Sequence, residues 1–222
     1  MQPEVLNAGS LHAVVIPPQK YYEQDGVTIY CGDNRRIVPL LGGYDLLLTD
    51  PPYGIGFAAQ PTTGQRRREQ KRETWDNAPA AAWMIDLARE KCERQIIWGG
   101  NYYNLPAARC WLSWHKPDAP PSMGNVEYAW TNLEANSRQI SQSIAATNAE
   151  RVGHPTQKPL RVIQFALQQA GPATSVLDPW SGSGTTLLAC KLSGIEVTGI
   201  EINEEYCELA VRRLRQGVLL AV

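Results

Sequence analysis

The chain has 222 residues, a formal net charge of -1 at pH 7, five cysteines and three histidines. That length suits one α/β domain with a substantial core, and 43% hydrophobic residues with a mean hydropathy of -0.32 is the balance of a soluble globular chain. No apolar run approaches the roughly 20 residues of a membrane span, and the N-terminus carries no signal-peptide pattern.

The cysteines (Cys31, Cys92, Cys110, Cys190, Cys207) are scattered, odd in number and without a Cys-x-x-Cys pair. This argues for a reducing compartment and against both a disulfide framework and a zinc site. The histidines lie too far apart in sequence to give metal-ligand spacing, so no metal is expected. Near-zero charge does not advertise nucleic-acid binding; a polyanion would have to meet a local cluster.

Residues 1–24 show no periodicity and read as an N-terminal arm. Residues 27–31 form a β-prone run closing on Gly32-Asp33-Asn34, and a helix over 35–41 stops at Gly42-Gly43. A strand over 46–49 follows, and strand, helix and strand at this spacing predict a βαβ unit and a parallel sheet. Residues 57–77 are a long polar loop containing Arg66, Arg67, Arg68, Lys71 and Arg72. Such a run is often a solvated surface, but this one lies one loop from the 46–54 stretch, which favours contact with a polyanion. Pro79 suits the first turn of a helix reaching residue 92. Next come a strand over 95–98 ending at Gly99-Gly100, a short helix over 103–108, and two β-prone runs over 110–115 and 126–131. Residues 132–153 are polar and read as a loop. A helix from Pro159 to residue 170, a strand over 175–178, a helix over 184–192, a strand over 196–201 and a helix over 204–215 complete the chain. Without repeats or low-complexity tracts, residues 1–222 read as a single domain.

Two stretches carry chemistry. Asp50-Pro51-Pro52-Tyr53 follows three leucines, at the end of a strand, where ligands bind in α/β sheets. An amine on an aromatic ring is a poor nucleophile because its lone pair is delocalised, and hydrogen-bond acceptors on its N–H groups draw it toward a pyramidal shape. Asp50 offers a carboxylate, the two prolines offer carbonyls without competing N–H donors, and Tyr53 offers a stacking face. The same four residues also fit an ordinary turn. The second stretch, Val176 to Thr186, is a strand, a glycine-rich turn and a helix start. Leu187 stands where a dinucleotide fingerprint wants its third glycine, and no lysine follows Gly184 as a P-loop requires. Asp178 before the turn and Glu201 after the next strand suit a cationic, phosphate-free cofactor such as S-adenosylmethionine, although a generic tight turn has the same glycines.

The two stretches occur in the order Gly32-Asp33, Asp50-Pro51-Pro52-Tyr53, His154-Pro155-Thr156-Gln157-Lys158-Pro159, Asp178-Pro179-Trp180-Ser181-Gly182-Ser183-Gly184-Thr185-Thr186 and Gly199-Ile200-Glu201. Together they resemble the beta group of DNA amino-methyltransferases, over most of the chain from Val27 to Arg213. The resemblance implies a Rossmann-like S-adenosylmethionine-dependent methyltransferase fold, mostly parallel with helices on both faces, with circularly permuted motif order. It implies that Asp50, Pro51, Pro52 and Tyr53 hold the target amine. It places Asp33, Thr156, Lys158, Asp178, Pro179, Trp180, Gly182, Ser183, Gly184, Thr185, Glu201 and Ile202 around the cofactor, with Glu201 on the ribose, Asp33 by the adenine, and Thr156 and Lys158 on the carboxylate end. His154 reads as a packing or capping residue. Trp75-Asp76 and Asn101-Tyr102-Tyr103 are candidates for the base pocket or, more simply, for the core.

The resemblance further implies direct methyl transfer to an exocyclic amine of a base flipped from duplex DNA. Adenine N6 is favoured by the Asp-led motif, with cytosine N4 as the alternative and an inactive cofactor- or DNA-binding module as the alternative of another class. No cysteine follows a proline, so no covalent base adduct is expected. The family commonly inserts a target-recognition domain where only residues 132–153 stand here, which implies short or relaxed recognition, read partly by the basic loop. A homodimer, a cytoplasmic setting in a bacterial cell or phage-infected host, and a partnership with a restriction enzyme are all compatible with it.

Overall fold

The computed structural model describes residues 18–54, 79–149 and 157–216. Most of the arm, the basic cluster, Trp75-Asp76, His154 and Thr156 therefore lie outside the described residues. Strands β1 (Tyr22–Gln24) and β2 (Val27–Cys31) form a hairpin around Asp25-Gly26, both at positive φ. Helix α1 (Asn34–Ile37) runs into a 3-10 turn (Val38–Leu40) before β3 (Tyr44–Thr49). Helix α2 (Ala82–Glu90), β4 (Cys92–Trp98), β5 (Trp111–His115), β6 (Val126–Thr131) and β7 (Arg138–Ser141) follow, then α3 (Ile144–Ala149) and α4 (Leu160–Ala170). The chain closes with β8 (Ser175–Asp178), α5 (Thr185–Leu192), β9 (Glu196–Glu201) and α6 (Glu204–Gln216).

Among the described residues the strands make one sheet in the order β1-β2-β9-β8-β3-β4-β6-β5-β7. It is parallel from β2 through β4; β1, β5 and β6 bring the antiparallel pairings, and β7 runs parallel to β5. Period-2 alternation assigns the faces. Leu46, Leu48, Ile96, Trp98 and Val176 turn to one side, where α4, α5 and α6 supply Val162, Ile163, Leu187 and Leu214. Leu47, Ile97 and Leu177 turn to the other, against Ile85 and Ala88 of α2. Each such buried leucine or isoleucine contributes about 2 kcal/mol relative to exposure. Helices thus cover both faces of a mostly parallel sheet, as expected.

Four sequence expectations need correction. The end of the arm is β1: Asp25-Gly26 is a two-residue hairpin turn, and three mostly exposed polar residues conceal the strand before it. Residues 132–153 are not simply a loop. Edge strand β7 pairs with β5, and Asp118 accepts the Ile144 and Ala145 N–H groups at 2.6 and 2.9 Å, capping α3. A polar edge strand shows no alternation to read. Residues 103–108 form no helix; the turn is a 3-10 segment at Gly100–Tyr102. Finally, β2 and β3 are parallel but not neighbours, because β9 and β8 lie between them.

That strand order positions the ligand-facing residues. β2, β9, β8, β3 and β4 end on one side of the sheet, at Gly32-Asp33, Glu201, Asp178, Asp50 and Gly99 respectively. Between β8 and β3 the chain path reverses, leading to β9 and β2 on one side and to β4 on the other. A crevice opens at such a point.

Candidate active site

Asp178 ends β8 fully buried, accepting the Thr49 hydroxyl at 2.7 Å and the Trp180 N–H at 3.2 Å. Burial pushes its carboxyl up to about 6, although Thr186, Thr49 and Trp180 pull the other way. The sign is clear: a carboxyl raised in the fold costs stability once ionised. Stability present below the ordinary value of 3.8 is lost as pH climbs toward about 6, by about 3 kcal/mol at most. In urea titrations between pH 4 and 7, Asp178→Asn should flatten this decline.

The turn after Asp178 is tied to β9. Gly182 N–H donates to Glu201 Oε2 at 3.0 Å, Asn203 N–H to Glu201 Oε1 at 2.8 Å, and Ser181 N–H to the Ile200 carbonyl at 3.0 Å. Gly184 sits at φ +78°, and a Cβ there would lie 2.7 Å from Ala210 Cβ on α6. Packing of α6 therefore requires this glycine, whatever ligand is bound. Sequence reading also missed Arg213. Its position near the end of α6 looks like a solvent-facing arginine, yet it is buried and donates to the Ser183 carbonyl at 2.7 Å, Ser183 Oγ at 3.2 Å and Thr185 Oγ1 at 3.1 Å. It braces the turn from behind. Asp33 caps α1 and is held below the usual carboxylate range by Arg35, whose Nε lies 2.8 Å away. Asn34 Nδ2 joins this end to the turn through the Pro179 carbonyl at 3.0 Å.

Next to Asp178, β3 delivers Asp50. Its Oδ1 accepts the Tyr53 hydroxyl and its Oδ2 accepts Lys158 Nζ at 2.8 Å. Burial pushes the Asp50 carboxyl up; Lys158 opposes this, and Glu127 adds to it. Burial and the same carboxylates hold the Tyr53 phenol well above its ordinary value. The Tyr53 ring lies against Gly99 at the end of β4, and Tyr102 stacks on it at 5.0 Å and 18°. The Pro52 carbonyl accepts the Ala80 N–H at 3.0 Å and the Tyr103 hydroxyl at 2.5 Å, so both its lone pairs serve the protein rather than a ligand.

Lys158 lines the cleft, and its buried ammonium meets Asp50, Tyr53 (3.1 Å to the hydroxyl) and Glu127 Oε2 at 2.9 Å, and lies 5.2 Å over the Trp98 ring. Glu127 on β6 also pairs with Lys116 at 2.5 Å. No signal in the sequence pointed to Glu127, because an acid inside a β-prone run reads as the wet face of a strand.

These groups share one cleft of about 970 Å³. Asp33, Asp50, Pro51, Pro52, Tyr53, Lys158, Asp178, Pro179, Trp180, Gly182, Ser183, Thr185, Glu201 and Ile202 all line it, whereas Gly184 lies behind its wall. One end is acidic and glycine-rich with an aromatic at Trp180; the other presents Asp50 beside stacked tyrosines. The first suits a cation with a ribose, the second a flat ring bearing an amine. Thr49 and Asp178 bind the two ends into one rigid edge.

Comparison with known proteins bears on this arrangement. A family model described as DNA methylase matches residues 65–212. Type II methyltransferase M2.MboI of Moraxella bovis is 42% identical over 220 residues, covering 78% of this chain and 81% of that protein. Among solved structures, the M1.HpyAVI-SAM complex superposes with a TM-score of 0.59 at 20% identity, covering 85% of this chain and 100% of the other. PvuII DNA methyltransferase (cytosine-N4-specific) gives a TM-score of 0.55 at 16% identity, covering 83% and 85%. The structures share the fold; the family match and the relative decide membership, and the chain belongs to the DNA methylase family that modifies exocyclic amines.

Proposed function

We propose that the protein transfers a methyl group from S-adenosyl-L-methionine to adenine N6 of DNA, with the base turned out of the duplex. The observation that carries this reading is Asp50, at the end of β3, facing the same cleft as the glycine turn that ends the adjacent β8.

The donor set fits that cofactor. Asp33, Asp178 and Glu201 are acids around a turn without a lysine, a poor place for a pyrophosphate and a good one for a sulfonium. S-adenosylmethionine supplies a methyl group made electrophilic by positive sulfur. Glu201, already fixed by two backbone N–H donors, takes the ribose hydroxyls, and Asp33 lies beside the adenine. On the other side Asp50 and the Pro51 carbonyl accept the N–H groups of the target amine, while Tyr53 provides a stacking face. Asp50 also receives the proton that the amine must shed after transfer. Holding amine and methyl at near-attack distance supplies most of the rate enhancement. Support for the cofactor also comes from the M1.HpyAVI neighbour, solved as a SAM complex.

Cytosine N4 is the second reading, kept by the likeness to a cytosine-N4-specific enzyme. Tritiated methyl transfer to unmethylated duplex DNA, with nucleoside analysis, separates the two. N6-methyladenine supports the proposal, N4-methylcytosine corrects the base, and no transfer to DNA despite cofactor binding overturns it. Contact with DNA falls to Arg66, Arg67, Arg68, Lys71 and Arg72, in the cytoplasm of a bacterial cell or phage-infected host. Replacing Arg66, Arg67 and Arg68 with alanine should weaken DNA binding and lower the slope of log K against log salt by about 2–3. An unchanged slope would remove the cluster from the interface.

A further inference from the structure

The methyl-transfer reading leaves a buried charge cluster unexplained. Lys158 is 6% exposed and lies between two carboxylates, with Asp50 Oδ2 at 2.8 Å and Glu127 Oε2 at 2.9 Å. Behind Glu127 stands Lys116, itself 4.8 Å over the Trp114 ring. The four charges sum to zero. An ammonium held by Asp50 alone would compete with the target amine for the carboxylate and make Asp50 a weaker base. A second carboxylate on the far side of the ammonium reverses both effects.

We propose that Glu127 is a positioning residue for the transfer step: by sharing the Lys158 ammonium it keeps Asp50 ionised yet basic, open to the amine's N–H and to its departing proton. In the step itself the amine lone pair forms the new N–C bond, and the C–S bond pair goes to sulfur, which becomes a neutral thioether. The proton on the alkylated nitrogen passes to Asp50, and from there to water. Lys158 alone would draw the carboxylate's lone pairs away from the amine; Glu127 alone would oppose ionisation of Asp50. The directions of the Asp50 perturbations agree, Lys158 lowering and Glu127 raising. The other titratable groups interacting with Asp50 are Tyr53 on its own loop and Asp178 on β8. Neither changes in the test below.

The inference rests on the proposed amine methylation, and the test separates the two. Glu127→Gln and Lys158→Met are nearly isosteric, and both are assayed beside the unaltered protein for kcat against pH and, without cofactor, for the Asp50 carboxyl carbon shift by NMR. The acid limb of kcat should move down by about one pH unit in Glu127→Gln and up by at least as much in Lys158→Met, with the NMR titration following in each case. Glu127→Asp should restore part of the original profile. A merely structural role would lower activity in both variants without moving the limbs apart. Limbs that stay in place while the unaltered protein methylates DNA would overturn the inference alone. Absence of transfer by the unaltered protein would overturn the methylation reading, while the NMR titration would still decide whether Glu127 tunes Asp50.

Discussion

Replacing Asp50 with alanine should lower methyl transfer on the order of 10³-fold while cofactor affinity stays within about threefold. The separation follows from the geometry. Asp50 ends β3, whereas Glu201 and the glycine turn proposed for the cofactor belong to β8 and β9. What the variant loses is the acceptor for the amine and for its proton. The Lys158 ammonium keeps Glu127 and Tyr53 as partners. Isothermal titration with S-adenosylmethionine and single-turnover transfer measure the two quantities independently. Turnover surviving at more than about a tenth would mean that Asp50 is not the acceptor.

Gly99→Ala should cost about 10²-fold in turnover through a different route. Gly99 has φ +66°, and an added Cβ would fall 2.0 Å from Tyr53 Cε1 and 2.5 Å from its Cδ1 and Cζ. The ring must leave, and with it go the hydroxyl's bonds to Asp50 and Lys158. The left-handed backbone adds about 1–2 kcal/mol of strain. Gly194→Ala is the matched control, since Gly194 has φ +67° with nothing within 4 Å of an added Cβ. The control should lose similar stability, read from urea unfolding, but keep its turnover. Equal turnover losses in both variants would make the effect one of strain rather than of Tyr53.

Elements with an internal period were legible. Residues 126–131, 175–178 and 196–201 are strands at the predicted bounds, and the run of three leucines does close on the proposed site. What escaped had no local signature. Strand β7 is an edge whose residues are mostly exposed, and the first half of β4, Cys92-Glu93-Arg94, is too polar to separate from the end of α2. The contact between Lys158 and Asp50 spans 108 positions, and the one between Lys158 and Glu127 spans 31. Spacing along a chain holds no information on such meetings. Motif resemblance supplied no role for Glu127 or Arg213. Both of those residues act on motif residues from strands and helices that carry no motif themselves.

The placement of β8 and β9 between β2 and β3 has a consequence for how the chain is made. When the ribosome has released β2 and β3, each strand lacks its inner neighbour, since β9 and β8 emerge only after about 130 further residues: the Thr49–Asp178 bond spans 129 positions. The nascent chain must carry Leu46, Leu47 and Leu48 along an edge that stays unpaired until β8 is out. Long-range parallel pairing of this kind folds slowly and exposes aggregation-prone surface meanwhile. A transcript broken anywhere before β9 therefore yields no half-enzyme, only a sheet missing its middle.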